Sequence, residues 1–272
     1  VWTVLFLLGT GVPVVVSERN DPHKHPENKI KRMLRRLVYP FAKGFVFQTQ
    51  DAANYFSRSI RGRGVVLDNP LDNSRIPAPY EGARRKVITA AGRLHEQKNF
   101  FLLIRTFARF YKTHHEYSLE IYGEGPDRNE LMKLASSLGV AGAVHLPGQS
   151  KTLLADINDS AMFVLSSDYE GMPNVLIEAM ACGAPTVMTI HGGLWRSVYF
   201  GKQALYADTI DKYEFGIALL QALKYPRLRA RLHREGAHRV RSLFTWTGIA
   251  QQLVSAVESR GAPGFDIGDG FD

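Results

Sequence analysis

Two glutamates eight residues apart, Glu170 and Glu178, stand in the stretch Ser167-Asp168-Tyr169-Glu170-Gly171-Met172-Pro173-Asn174-Val175-Leu176-Ile177-Glu178. The apolar run Ala161-Met162-Phe163-Val164-Leu165-Ser166 ahead of them reads as a buried strand. Pro173 is expected at a first helical position, opening a helix that Gly183 closes. One carboxylate then belongs to a strand-to-helix loop and the other to the helix. The helix start contributes backbone N–H groups and the positive end of a dipole, which together favour an anion. Hydroxyl acceptors on either side of an anion hole suit a sugar, a diphosphate and a ribose in one line.

Arg93 and Lys98 follow another buried run, Lys86 to Ala91, where side chains at the carboxyl end of a parallel sheet meet ligand. A guanidinium holds a pair of phosphate oxygens in a bidentate way and an ammonium adds a point charge, which together suit departure of a nucleoside diphosphate. The plainer reading of both is a pair of solvated cations in a loop. Gly123-Glu124-Gly125 has the start of a dinucleotide fingerprint, but Arg128 stands where the third glycine belongs, so a tight turn before a helix is expected instead. No Asp-x-Asp occurs and no His and Cys cluster has metal-ligand spacing, so no metal site is expected. The charge of a leaving group then falls to Arg93, Lys98 and the helix start.

Glu-x7-Glu with Glu-Gly-x-Pro inside it resembles the donor-binding signature of glycosyltransferase family 4, retaining enzymes with the GT-B fold. Further blocks resemble that family in its order: Ala91-Gly92-Arg93-Leu94 with Lys98-Asn99, Ile121-Tyr122-Gly123-Glu124-Gly125-Pro126, Leu146-Pro147-Gly148, and Ala181-Cys182-Gly183-Ala184-Pro185. Ordered blocks of this kind are far more specific than one short pattern. The resemblance implies an α/β fold with two Rossmann-like parallel-sheet domains, the first truncated. It implies that Arg93 and Lys98 contact a donor diphosphate, that Glu170 bonds hydroxyls of the donor sugar, and that Glu178 holds the ribose. It also places Gly92, Gly123, Leu146, Pro147, Gly171, Met172, Asn174, Val175 and Leu176 around the donor, with the amides of Gly171, Met172 and Asn174 as expected anion donors. No cofactor is implied beyond the nucleotide sugar itself, UDP- or GDP-linked, as co-substrate.

The chain departs from the family pattern twice. Many members carry a histidine after the strand that matches Pro13-Val14-Val15-Val16, whereas Ser17-Glu18-Arg19-Asn20-Asp21-Pro22 follows here. Glu18 and Arg19 are candidates to orient an acceptor hydroxyl or the transferred sugar, and a strand-end ion pair and turn is the equal alternative. After Thr189, His191-Gly192-Gly193-Leu194-Trp195-Arg196 brings an arginine where the family often has a glutamate, which puts donor contacts from that loop in doubt. The expected activity is transfer of a hexose or N-acetylhexosamine to a glycan or lipid-linked acceptor, in cell-surface polysaccharide or glycolipid synthesis. A nucleotide-sugar-binding fragment without turnover is one alternative, and a Rossmann-like nucleotide enzyme of other chemistry is another.

Positioning these groups requires alternating strands and helices, the pattern of doubly wound parallel sheets. In the first part this reads as a helix tail from Trp2 to Leu8, a strand Pro13 to Ser17, a helix Asn28 to Tyr39, a strand Gly44 to Thr49, a helix Gln50 to Ser59 and a strand Val65 to Asp68. Pro70 to Arg85 looks like a linker. In the second part, helix Asn99 to Thr113 and strand Ser118 to Tyr122 precede a helix begun by an Asp127 to Glu130 capping box. Strand Val144 to Leu146, helix Lys151 to Asn158, strand Pro185 to Thr189 and helices near Lys212 to Leu223, Arg227 to Leu243 and Thr247 to Ser259 complete it. The expected domains are 1–80 on the acceptor side and 81–245 on the donor side, then a helix 246–260 crossing back to the first, and a loose tail 261–272.

At 272 residues with 45% hydrophobic and 22% charged residues the chain has the composition of a globular protein with real cores. The apolar run Val4 to Val16 is broken by Gly9, Gly11 and Pro13 and falls short of a spanning helix. Cys182 is the one cysteine, so no intramolecular disulfide forms, and it reads as a packing residue in a chain of the reducing cytoplasm. A start at Val1 without a leader reads as a fragment. The net charge of +8 asks for an acidic partner. Lys29, Lys31, Arg32, Arg35 and Arg36 decorate a stretch in which Ile30, Met33, Leu34, Leu37, Val38 and Phe41 recur at helical spacing. The plainer reading packs that apolar stripe on a sheet and leaves the charges solvated. The alternative rests it on an anionic membrane surface, as a peripheral protein on the inner face. No nucleic acid is expected, because basic and aromatic residues do not interleave.

Overall fold

A computed structural model describes residues 1–189, 205–207 and 225–258. The chain forms two compact units, Val1–Pro70 joined by the chain from Phe244 onward, and Leu71–Leu243. The expected helix 212–223, the loop 191–196 and the tail 261–272 lie outside the described residues.

In the first unit a short helix α1 (Trp2–Phe6) precedes three parallel strands in the order β1 (Val15–Glu18), β2 (Gly44–Phe47), β3 (Gly64–Val66). Between β1 and β2 runs α2 (Lys29–Val38), started by Asn28, whose side chain accepts from the Ile30 amide at 2.8 Å. Phe45, Phe47, Tyr39, Val38, Ala52 and Ile60 form the core. The single helix expected from Gln50 to Ser59 is two, α3 (Gln50–Asn54) and α4 (Arg58–Arg61), because Ser57 between them is extended at ψ 157° and breaks the helical backbone.

The packing of α2 inverts the expected one. Its buried residues are Arg35 and Val38, while Ile30, Met33 and Leu37, with Phe41 just beyond, are 57–64% exposed. Arg35 tolerates burial because its donors are used. It donates to the Pro22 carbonyl at 2.9 Å and the His25 carbonyl at 2.7 Å, pairs with Glu18 at 3.9 Å, and lies over the Tyr55 and Phe56 rings.

The second unit is a six-stranded, wholly parallel sheet. Its strands are β4 (Arg85–Ala91), β5 (Ser118–Tyr122), β6 (Val144–Gly148), β7 (Ser160–Leu165), β8 (Thr186–Thr189) and β9 (Leu205–Ala207), in spatial order β6-β5-β4-β7-β8-β9. Described helices of this unit are α5 (Phe100–Tyr111), α6 (Arg128–Ser137), α7 (Leu153–Asn158), α8 (Asn174–Ala181) and α9 (Pro226–Leu243). All six residues of β7 are buried, the reason its sequence is a continuous apolar run rather than an alternation. Ile88, Leu103, Ile104, Phe107, Leu119, Ile121 and Met162 anchor the core. The chain winds outward from β4 through β5 to β6 and then crosses back to β7. The reversal between β4 and β7 is where open α/β sheets form a ligand crevice. After α9 the chain enters the first unit as α10 (Trp246–Glu258).

Two helix starts differ from expectation. Asp127 is the N-cap of α6 but makes no side-chain cap bond, because its backbone is helical (ψ −2°) and its amide is held by the Leu94 carbonyl at 3.1 Å. Pro173 is the N-cap of α8 rather than its first helical residue. Cys182 is fully buried, and burial pushes its thiol up to about 12.

The stretch expected as a linker folds onto the second unit from Leu71 onward. Arg84 donates to the carbonyls of Asn158, Ser160 and Gly183 at 2.6, 3.0 and 2.8 Å, and burial lowers the pKa of its guanidinium. Arg84→Lys keeps the charge but not the planar fork that reaches three carbonyls. Urea denaturation is expected to show a loss of about 1 kcal/mol, and an unchanged midpoint would mean that this docking contributes nothing. Among the described residues, no helix is long and apolar enough to cross a membrane.

Candidate functional site

The loops that leave β4 and β7 lie side by side and are tied by four bonds between residues about seventy apart in sequence. The Asp168 amide donates to the Gln97 carbonyl at 2.8 Å, Gln97 Nε2 to the Tyr169 carbonyl at 2.9 Å, Ser166 Oγ to the Lys98 carbonyl at 2.8 Å, and Asn99 Nδ2 to Asp168 Oδ1 at 2.7 Å. Thr189 Oγ1, at the end of β8, donates to the Ser167 carbonyl at 2.6 Å and joins a third strand to the same knot. Asn99 sits in the left-handed region (φ 45°), a conformation its short polar side chain tolerates, and that side chain also caps α5 through the Leu102 amide at 3.1 Å.

This knot brings Lys98 to Glu170. Lys98 Nζ donates to Glu170 Oε1 at 2.5 Å and Ser167 Oγ donates to the same oxygen at 2.6 Å. The two charged side chains are only 16% and 9% exposed, so each compensates the desolvation of the other. Arg93 is exposed at the start of the β4 loop. Glu178 is half-buried on α8; burial raises the pKa of its carboxyl, and the Arg75 charge opposes that rise.

Around the start of α8, Gly171 and Val175 are half-buried and Asn174 is exposed. Leu176, also expected around the donor, faces inward. Its side chain is fully buried in the core and its amide is bonded to the Pro173 carbonyl at 3.1 Å. Met172 is likewise buried, at 5% exposure.

The loops after β4, β5 and β6 are laced through their backbones: Gly92 amide to Tyr122 carbonyl at 3.0 Å, Leu94 amide to Glu124 carbonyl at 3.0 Å, Gly123 amide to Gly148 carbonyl at 2.8 Å. A Cβ on Gly123 (φ 134°) would collide with the Gly92 carbonyl, and one on Gly125 with the Leu94 backbone. Close approach of two loops, more than a tight turn, requires these glycines. The Leu146 carbonyl accepts from Arg128 Nη2 at 2.5 Å, while Pro147 is exposed.

In the first unit Glu18 accepts from the Tyr39 hydroxyl and pairs with Arg35, which is the strand-end ion pair. Burial and that carboxylate raise the pKa of Tyr39. Arg19 donates to Asn69 Oδ1 at 2.7 Å. Sequence reasoning missed Gln97, Ser167 and Asp168 as loop ties, although short polar residues directly after a buried strand were a signal. It also missed Arg75, which is about a hundred residues from Glu178 and left no local signal. Among the described residues no three His, Cys, Asp or Glu side chains converge as metal ligands.

Residues 76–239 match the family described as glycosyl transferases group 1. Mannosylfructose-phosphate synthase of Agrobacterium fabrum is 45% identical over 189 residues, 66% of this chain and 42% of that protein. The lipopolysaccharide core biosynthesis glycosyltransferase LpsE of Rhizobium meliloti is 30% identical over 202 residues, 73% of this chain and 56% of that one. This chain thus spans about half the length of the curated relatives it matches. Among solved structures, Anabaena Alr3699/HepE in complex with UDP and glucose superimposes with a TM-score of 0.83 at 18% identity, over 94% of this chain and 74% of that one. Staphylococcus aureus TarM, in complex with UDP among other ligands, superimposes with a TM-score of 0.77 at 17% identity, over 90% and 50%. The fold is that of the GT-B glycosyltransferases.

Proposed function

This chain belongs to the glycosyl transferases group 1, and from that premise we propose that it serves a retaining transfer of a hexose or N-acetylhexosamine from a UDP- or GDP-linked donor to a glycan or lipid-linked acceptor. The observation that carries the reading is the Lys98–Glu170 pair held by Ser167 at the β4/β7 reversal. A cation and a carboxylate kept together in a crevice with few other partners are poised for exchange. Donor phosphate oxygens take the ammonium, and the released carboxylate accepts hydroxyls of the sugar. Lys98, Arg93 and the start of α8 meet the charge that develops on the diphosphate as the bond to the anomeric carbon breaks. Glu178 accepts the ribose hydroxyls. Relatives named for lipopolysaccharide core synthesis support a role in building a cell-surface glycan.

Calorimetry with UDP, GDP, their sugar conjugates, free nucleosides and NAD tests the donor class, and binding of NAD alone would sink it. The chain's span relative to its relatives favours one second reading, a donor-binding piece without turnover. Donor binding with no sugar transferred in a product assay selects that reading.

Glu178→Gln keeps the size and loses the charge, so nucleotide affinity is expected to fall by about 1–2 kcal/mol. A 2′-deoxynucleotide removes the ligand's half of the contact, and additive losses in that cycle would remove Glu178 from the ribose. Stability moves the other way. Because burial raises the folded-state pKa, the ionised carboxylate destabilises the fold above that pKa and the penalty vanishes below the unfolded-state pKa. The variant is therefore expected to be at least as stable as wild type at neutral pH and to lose any advantage as pH falls through the carboxylate range.

A further inference from the structure

We propose that the outward face of α2 docks on an anionic lipid bilayer, a property separate from the donor site. Ile30, Met33 and Leu37 share one face of the helix and Phe41 continues it, with exposures of 64, 57, 61 and 61%. The inward positions belong to Arg35 and Val38, and among the described residues this stripe packs on no core. Trp2 of α1, which lines the same groove as Lys31 and Leu34, is 64% exposed and adds an aromatic of the type that settles at a lipid–water boundary.

The charges around the stripe name its occupant. The ten residues of α2 contain five cations and no acid. Two of those cations are spent on the fold: Arg35 as described, and Arg32 on the carbonyls of Pro26 at 2.8 Å, Glu27 at 3.0 Å and His23 at 3.3 Å. Lys29, Lys31 and Arg36 remain exposed. Residues 1–70 hold eleven Lys and Arg against five Asp and Glu, so six of the eight net charges of the chain lie in its first quarter. A second copy on this face would set cations against cations, and the phosphate backbone of a nucleic acid offers nothing to three aliphatic side chains. An apolar stripe rimmed by lysine and arginine, lying in the plane of the headgroups, satisfies both components at once.

The test is sedimentation of the chain with vesicles of phosphatidylcholine alone and of phosphatidylcholine with phosphatidylglycerol, at low and high salt. Binding is expected to the anionic vesicles only and to weaken with salt. Joint replacement of Lys29, Lys31 and Arg36 by glutamine is expected to lower that binding about a hundredfold, roughly fivefold for each charge. Joint replacement of Ile30, Met33 and Leu37 by serine is expected to lower it more than about tenfold even at low salt. The replaced side chains are exposed, so an unchanged thermal midpoint separates lost docking from lost folding. Absence of binding to the anionic vesicles overturns the proposal, as does a serine variant that binds like wild type. A dimer that the serine variant abolishes, without any vesicle binding, would reassign the face to a second copy.

Discussion

Lys98→Ala is expected to weaken binding of a nucleoside diphosphate by about 1.5–3 kcal/mol and to leave the free nucleoside unaffected, as titration calorimetry would read directly. The lost group is an ammonium already desolvated to 16% exposure, so its attraction for phosphate is screened less than that of a surface lysine. Equal losses for the two ligands would take Lys98 off the phosphates. The same substitution strands Glu170, whose carboxylate is 9% exposed and would keep only the Ser167 hydroxyl. Removing one partner of a buried pair costs more than removing both, so Lys98→Ala should also lower stability. Adding Glu170→Gln should restore part of that stability without restoring affinity. A double variant no more stable than the single one would show that the pair is solvated in solution.

Gly123→Ala should have the largest effect on folding, about 2–4 kcal/mol in urea denaturation. It places a side chain at φ 134° and drives its Cβ into the Gly92 carbonyl, part of the backbone lacing that positions the Arg93 loop. Gly139→Ala is the control, since that residue also has a positive φ, 70°, but nothing within 4 Å of its Cβ. Gly139→Ala should cost about 1 kcal/mol, so the difference between the two measures the collision together with the harsher backbone conformation at φ 134°. Donor affinity should fall with Gly123→Ala and not with Gly139→Ala. Equal destabilisation by both would mean that the loops spread apart freely and that their close approach does not hold the site.

The sequence by itself determined that strands and helices alternate, that the Ala161 to Leu165 run is buried, that Gly183 ends the helix carrying Glu178, and that the blocks around Lys98 and Glu170 belong to one family. These features are local, written in apolar runs and turn residues. Tertiary structure alone decided which polar groups meet. The pairing of Lys98 with Glu170, the approach of Arg75 to Glu178 and the docking of Arg84 on three carbonyls join residues about seventy to a hundred positions apart. The helix α2 shows the physical reason most clearly. Periodicity records that Ile30, Met33 and Leu37 share a face, but the direction of that face depended on where Arg35 could satisfy its donors. Glu18, two loop carbonyls and two aromatic rings gave it that place inside, and the apolar face was left to the solvent side.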